Sequence, residues 1–400
     1  MELVLSILII LIAARIFGEI AEKLGQSSII GQIIAGVILG PSVLNIIVPS
    51  PDTESLAMLG IFFLMFIAGM EIDPTKMIKT GKVTSAIAAG GVIFPLIFGI
   101  SLGLLVGAYF IPGFTFIHAL ILGVCLSISA VGVIDATLME LGKIKTDIGQ
   151  IIIEAGILDD IIGLLMLSII TSIIKAGIQN AIYSVTTILV DMVIFFALFT
   201  FIGVFIFPRL LRFARGMKSP QSLFGIAIIL AILYSLSSEY MLGSGIIGAF
   251  MAGIFTRHAV ERHRDVERGL LEKFSAIAFS LLTPLFFVWI GIQMSPGILA
   301  EFNLLIFSIL VIIVAIAGKL IGAYVPARLS GLKPRESLAV SFGMNARGAV
   351  ELVIAGIALQ SALIGQELFS IIVVMALVTT IIAPAGMERF LKKSKMKLKL

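Results

Sequence analysis

The stretch EAGILDDIIGLL, Glu154 to Leu165, sets two adjacent carboxylates inside an apolar run from Ile148 to Ile174. Asp159 and Asp160 lie about 12 residues into that run. At about 1.5 Å per residue this is about 18 Å of helix, near the middle of a bilayer core. Ionised carboxylates at that depth are costly, so the pair is expected to face protein or water and to be functional. Adjacent helix positions point about 100° apart, so the two can serve different partners. A carboxyl group out of water and beside a second one also holds its proton more readily. This is the chemistry of an acid that exchanges H+ for a cation. The alternative is a structural pair capped by neighbouring helices.

Other polar residues recur at similar depth. Lys319 in AIAGKLIGAY is a natural counter-charge for an aspartate; alternatively its long stem snorkels to an interface. In CLSISAVGVIDATLMELG, Ser127, Ser129 and Gly132 are small or helix-weakening, and serine oxygens suit a hard cation. In SFGMNARGAVELVIAGIAL, Gly343, Asn345, Gly348, Arg347 and Glu351 disfavour a plain helix in lipid. Both segments read as interrupted helices, which are tolerated only where buried or lining a cavity. Half-helix ends are charged poles. Arg347 is expected to offset the C-terminal ends, and Asp135 or Glu351 the N-terminal ends. The alternatives are simple small-residue packing, and an i, i+4 pair between Arg347 and Glu351. Glu154, toward the start of the Asp159–Asp160 helix, reads either as a solvated helix-end carboxylate or as lining an inner funnel.

The elements that carry these residues follow from composition. The chain has 400 residues, 59% of them hydrophobic and 13% charged, with a mean hydropathy of +1.17. A soluble domain is nearer one quarter charged. The chain therefore reads as an all-α polytopic membrane protein of about 13 spans. The N-terminal segment has no basic start and no small-residue cleavage site, so it reads as a retained span. Charge fixes the expected orientation. Of 28 basic residues, 24 fall in alternate loops and the tail, including Lys76, Lys79, Lys143, Lys145, Arg209, Arg212, Arg262 and Lys392. Only Lys175 lies in the other set of loops, which puts the N-terminus outside and the C-terminus in the cytoplasm. The three remaining, Arg15, Lys319 and Arg347, lie within spans. The net charge of +4 thus reflects topology and gives no support to a nucleic-acid partner. Cys125, the single cysteine, reads as an apolar filler. His118, His258 and His263 lie outside the expected core, so histidine is a poor proton carrier here. No P-loop is present, which argues against an ATP-driven pump.

A repeat is also legible. IIGQIIAGVI (29–38) and IIGAFMAGIF (246–255) match at an offset of 217 residues. FFLMFIAGMEIDP (62–74) matches FFVWIGIQMSP (286–296) near 224, and SAVGV matches ARGAV near 216. The offset equals seven spans, an odd number, so the copies should be inverted, with spans 1–6 and 8–13 as repeats and span 7 linking them. Secondary transporters use this architecture, with the substrate site where the copies meet.

The chain resembles the second family of monovalent cation/proton antiporters, which includes Na+/H+ antiporters and Kef-type K+ efflux proteins. The resemblance rests on GQIIAGVILGPSVL (31–44), FLMFIAGMEID (63–73), ILDDIIGLL (157–165), PLFFVWIGIQM (284–294) and GMNARGAVELVIA (343–355). It implies a homodimer of 13-span protomers with two crossing broken helices. A scaffold would comprise 1–73 and 221–299. The ion-transport core would comprise 83–177 and 301–390, with 181–207 as the linking helix and 391–400 as a short basic tail. It implies that Asp160 binds Na+ or H+, that Asp159 pairs with Lys319, and that Ser127 or Ser129 lies near the ion. Gln32 stands where relatives often carry glutamate. Kef-type relatives carry a nucleotide-binding domain that is not expected in this chain. The expected function is Na+/H+ antiport at the cell membrane by alternating access, electrogenic, with no enzyme activity and no cofactor besides the transported ions. The alternatives are K+/H+ antiport, a sodium-coupled organic-solute symporter on a similar fold, or a channel.

Overall fold

The computed structural model describes residues 2–72, 81–176, 181–219, 221–242, 244–261 and 264–391. Lys76, Lys79, Arg262, His263 and the basic tail from Lys392 onward lie outside the described residues. Every regular element among the described residues is helical. In chain order these are α1 (Glu2–Lys23), α2 (Ser28–Leu39), α3 (Pro51–Glu71), α4 (Gly81–Leu102), α5 (Phe116–Ser127), α6 (Val131–Glu140), α7 (Asp147–Ala176), α8 (Ala181–Phe205) and α9 (Phe207–Arg215). They continue with α10 (Ser222–Leu242), α11 (Gly245–Val260), α12 (Arg264–Ile277), α13 (Thr283–Gln293), α14 (Phe302–Leu329), α15 (Pro334–Gly343), α16 (Ala349–Gln360) and α17 (Gln366–Leu391). Single π turns extend α4 beyond Leu102 and join α12 to α13. Eight described segments are long and apolar enough to cross a membrane by length and composition, and α2, α5, α11 and α16 are shorter apolar helices.

The two segments expected to be interrupted are interrupted. α5 stops at Ser127 and α6 starts at Val131, with Ile128 and Ala130 in extended conformation between them. α15 stops at Gly343 and α16 starts at Ala349. The residues of the gaps, Ser, Gly and Asn, compete poorly for helix.

Contacts divide the chain into two compact units. The first comprises Met1–Leu11, Pro49–Pro74 and Leu164–Trp289. In it α11 packs between α3 and α10. Gly69 lies against the Phe250 carbonyl and Gly248 against the Tyr234 carbonyl, with no room for a β-carbon at either. Lipid supplies no hydrophobic drive between helices, so close backbone approach at small residues is what holds such pairs. Tyr234 caps the arrangement by donating from its hydroxyl to the Phe199 carbonyl at 2.7 Å.

The second unit comprises Ile12–Val48, Thr75–Gly163 and Ile290–Leu400. α4 and α14 pack closely, with Gly90 and Gly322 each against the other's carbonyl. Gly31 lies against the Phe17 carbonyl and Gly291 against the Ile33 carbonyl. An apolar cluster that includes Ile134, Leu138, Ile152, Val340 and Met387 ties together α6, α7, α15 and α17. α14 exposes Ile309, Ile313 and Ile321 while burying Lys319 completely. One helix thus presents a lipid-compatible face and a buried charge, and that charge needs a partner.

Candidate ion-binding site

The site is built where the two helix breaks meet in the second unit. Ala130 donates its backbone N–H to the Ala346 carbonyl at 2.8 Å. The Ser129 hydroxyl donates to the Met344 carbonyl at 2.6 Å. Each break therefore supplies hydrogen bonds that the other lost on leaving the helix.

The C-terminal end of α5 leaves carbonyls without helical partners and carries a negative pole. Two buried cations meet it. Arg347 donates from Nη1 to the carbonyls of Cys125 at 2.9 Å and Ile128 at 2.5 Å. Lys319 donates from Nζ to the Ser127 carbonyl. The expectation that Arg347 offsets a C-terminal pole matches this geometry. Arg347 and Glu351 form no ion pair, although they sit one turn apart among the described residues. Glu351 occupies the first turn of α16, fully buried, and neither of its carboxylate oxygens has a well-formed hydrogen-bond partner among the described residues.

Asp159 and Asp160 have different surroundings, as their 100° separation requires. Asp159 is fully buried, with Lys319 Nζ at 3.0 Å from both carboxylate oxygens. It also accepts the backbone N–H of Ser129 at 2.5 Å. Asp159 is thus fixed by a cation and by the amide just before α6. Lys319 does not snorkel: its ammonium ends on Asp159 and the Ser127 carbonyl. Asp160 is half-buried, and its Oδ1 is buried with no hydrogen-bond partner among the described residues.

The remaining predicted residues divide. Ser127 donates to the Val124 carbonyl at 2.7 Å, so both candidate serines spend their hydroxyl hydrogens on carbonyls while their oxygen lone pairs face elsewhere. Glu154 is buried rather than solvated, and accepts from the Thr84 hydroxyl at 3.3 Å. Asp135 is half-buried on α6, in its second turn, and one of its carboxylate oxygens is buried without a partner among the described residues. Glu351, in the first turn of α16, is the better placed of the two for an N-terminal end.

Comparison with known proteins was made on this basis. The family model described as sodium/hydrogen exchanger, transmembrane, matches residues 6–393. The chain belongs to this exchanger family. A probable Na+/H+ antiporter of Bacillus cereus, GerT, is 35% identical over 92% of this chain and 94% of its own length. The Na+/H+-K+ antiporter GerN of the same organism is 32% identical over 96% and 95%. The Na+/H+ antiporter MjNhaP1 of Methanocaldococcus jannaschii shares the fold, with a TM-score of 0.74 at 17% identity, over 98% of both chains. The family is one of transporters, not enzymes.

The exchanger chain also contains a site-building residue that its sequence did not reveal. Thr380, on α17, accepts the Arg347 backbone N–H at 3.2 Å and donates to the Arg347 carbonyl at 2.8 Å. It pins the second break from both sides. In sequence it is one of two adjacent threonines in an apolar run, and nothing in the spacing sets it apart.

Proposed function

We propose that this chain exchanges Na+ for H+ across the cell membrane by alternating access, with Asp160 as the group that takes either ion. The observation that carries this reading is the asymmetry of the two aspartates. Asp159 is committed to Lys319 and the Ser129 N–H, whereas Asp160 keeps a buried oxygen without a partner. A cation bound at Asp160 displaces its proton, and competition for one carboxylate couples the two flows. Lys319 supplies the second proton when cation binding loosens its pair with Asp159, which makes the exchange electrogenic. K+ is the second candidate cation, since GerN is named for it. Hard monovalent cations all take oxygen ligands.

The proposed framework is 13 crossings in two inverted repeats, with the N-terminus outside and the C-terminus cytoplasmic. Contacts within the two units support the repeat. Gly31 against Phe17 and Gly248 against Tyr234 are the same contact displaced by 217 residues. Gly291 against Ile33 and Gly69 against Phe250 are a second such pair. At the breaks, Ala130 bonds Ala346, 216 residues on, as a residue near a two-fold axis meets its own copy. Segments 83–177 and 301–390 are proposed as the moving core and 1–73 with 221–299 as the scaffold of a homodimer. The 181–207 helix links them. Asp159, Asp160, Lys319, Ser127, Ser129, Arg347 and Glu351 all belong to that core.

The test is reconstitution into liposomes with an internal pH dye, adding Na+, Li+ and K+ in turn. Cation-driven proton movement is expected. The half-saturating cation concentration should fall as pH rises, until Asp160 is fully deprotonated. An apparent affinity that stays constant across pH 6 to 9 (an arbitrary but roughly sufficient range about neutrality) rules out a shared site.

A further inference from the structure

Glu154 and Asp135 are the two carboxylates that flank Asp160 on the side where α6 and α7 join, and the structure treats them differently. Glu154 precedes Asp160 by six residues on α7. At about 100° per residue the two point about 120° apart, so a surface that reaches Asp160 does not pass Glu154. Glu154 is also buried and takes the Thr84 hydroxyl. It belongs to the packing of α7.

Asp135 is on the other helix of this corner. Val133, Ile134 and Leu138 turn one side of α6 into the apolar cluster shared with Ile148, Ile152 and Ala155 of α7. Asp135 and Met139, one turn apart, occupy the opposite side, and Met139 is 66% exposed. Asp135 is half-buried with one oxygen lacking a partner among the described residues, and its charge lies within electrostatic range of Asp160. At about 1.5 Å per residue it stands about 7 Å along α6 from the break. An alanine or leucine would serve packing there at lower cost, because a half-desolvated carboxylate without a partner is unfavourable.

We propose that Asp135 is a cation-binding residue on the route to Asp160 from the α6–α7 end, where it takes a monovalent cation before Asp160 does. The proposal rests on the ion-exchange reading above and adds a second stop to it. The chemistry is the same at both: an anionic oxygen for a hard cation. A carboxylate lining a narrow route raises the local cation concentration and so sets the apparent affinity from its own side. It does not carry the exchanged proton.

The experiment uses the full chain in liposomes with a single, verified orientation, titrating Na+ from one face and then from the other. Asp135→Asn is expected to raise the half-saturating Na+ concentration by about tenfold from the α6–α7 face. From the opposite face it should change little, and the maximal rate should persist. Asp135→Glu should restore affinity to within about twofold. Glu154→Gln is the comparison: it should lower the melting temperature without altering affinity from one face alone. An unchanged affinity in Asp135→Asn, an equal change from both faces, or loss of rate at saturating Na+ overturns the proposal. If Asp135→Asn does not fold, Asp135→Ser is measured in the same way and carries the same outcomes. Wild-type liposomes that exchange no cation overturn the ion-exchange reading together with this one. A working wild type with an unaltered Asp135→Asn overturns this one alone.

Discussion

The two helix breaks differ in how their polar groups are satisfied. At the first, between α5 and α6, the exposed carbonyls of Cys125, Ser127 and Ile128 meet Arg347 and Lys319, and the amides of Ser129 and Ala130 meet Asp159 and Ala346. The first break contributes no charge of its own and is neutralised from outside. The second, between α15 and α16, contributes the charges. It supplies Arg347 to the first, yet the Asn345 amide, the Glu351 carboxylate and two nitrogens of Arg347 have no hydrogen-bond partner among the described residues. The first break is therefore a finished seat, and the second is a set of charged groups held in place by its neighbours. In a transporter this division is useful: the seat keeps its shape while ions come and go at Asp160.

The largest effect expected from this comparison comes from removing the one aspartate that the seat leaves uncommitted. Asp160→Asn should reduce cation-driven proton movement to the level of protein-free liposomes. The protein should still fold, since an amide keeps the shape and removes a costly charge. Substantial exchange by this variant in the pH-dye assay would mean that Asp159 or another group carries the ion, and that the seat is not finished.

Next is the charge that the second break lends to the first. Arg347→Met leaves the Cys125 and Ile128 carbonyls without their cation in a site closed to water. Breaking a buried charge arrangement typically costs about 3–5 kcal/mol, so the variant should melt far earlier or fail to insert. Arg347→Lys should recover only part of this, because a single ammonium lacks the planar fork that reaches two carbonyls at once. A melting curve for Arg347→Met that overlays wild type would show that the α5 pole does not need it.

Lys319→Gln tests the other cation on the same pole, with a smaller expected loss. An amide can still donate to Asp159 and to the Ser127 carbonyl, but it cannot release a proton. Exchange should persist and become one-for-one, hence electrically silent. Stability should fall because Asp159 remains a buried charge. The reversal potential of transport at several imposed Na+ and pH gradients measures this. Identical stoichiometry in both proteins would make Lys319 purely structural.

Much of this site was legible in the sequence for a simple reason: charges in a membrane span are rare and expensive, so each one that is present calls for a partner. Asp159, Asp160, Lys319, Arg347 and Glu351 all stood out on that ground, and the helix-weakening residues around Ser129 and Asn345 marked the breaks. What charge alone left open was direction. The sequence offered a pair between Arg347 and Glu351, but the arginine reaches across to α5, because the helix pole there is a stronger demand than an i, i+4 neighbour. Glu154 read as solvated from its place near a helix end, and it is buried because Thr84, 70 residues earlier, packs against it. Such partners are set by tertiary packing, and a threonine in a greasy helix carries no mark of the contact it will make.

Thr380 is the clearest case of that kind, and it yields the smallest of the expected effects. Its hydroxyl accepts from the Arg347 amide and donates to the Arg347 carbonyl, so one side chain replaces two backbone hydrogen bonds that the broken helix gave up. Thr380→Val keeps the branched shape and removes both. Each lost partner in a buried site costs about 1–3 kcal/mol when the remaining group stays unsatisfied, and the break can recover part of this by shifting. The net destabilisation should therefore be about 1–3 kcal/mol, below that of Arg347→Met. Thr380→Ser keeps the hydroxyl and should behave nearly as wild type, which separates the hydrogen bonds from the methyl group. If the seat at α5 depends on how the second break is held, Thr380→Val should also slow exchange, because Arg347 then samples positions away from the Cys125 and Ile128 carbonyls. The decisive measurement is exchange rate beside melting temperature for Thr380→Val and Thr380→Ser. A Thr380→Val protein that melts early and transports at the wild-type rate would show that the second break tolerates movement, and that the first is a finished seat without help from α17.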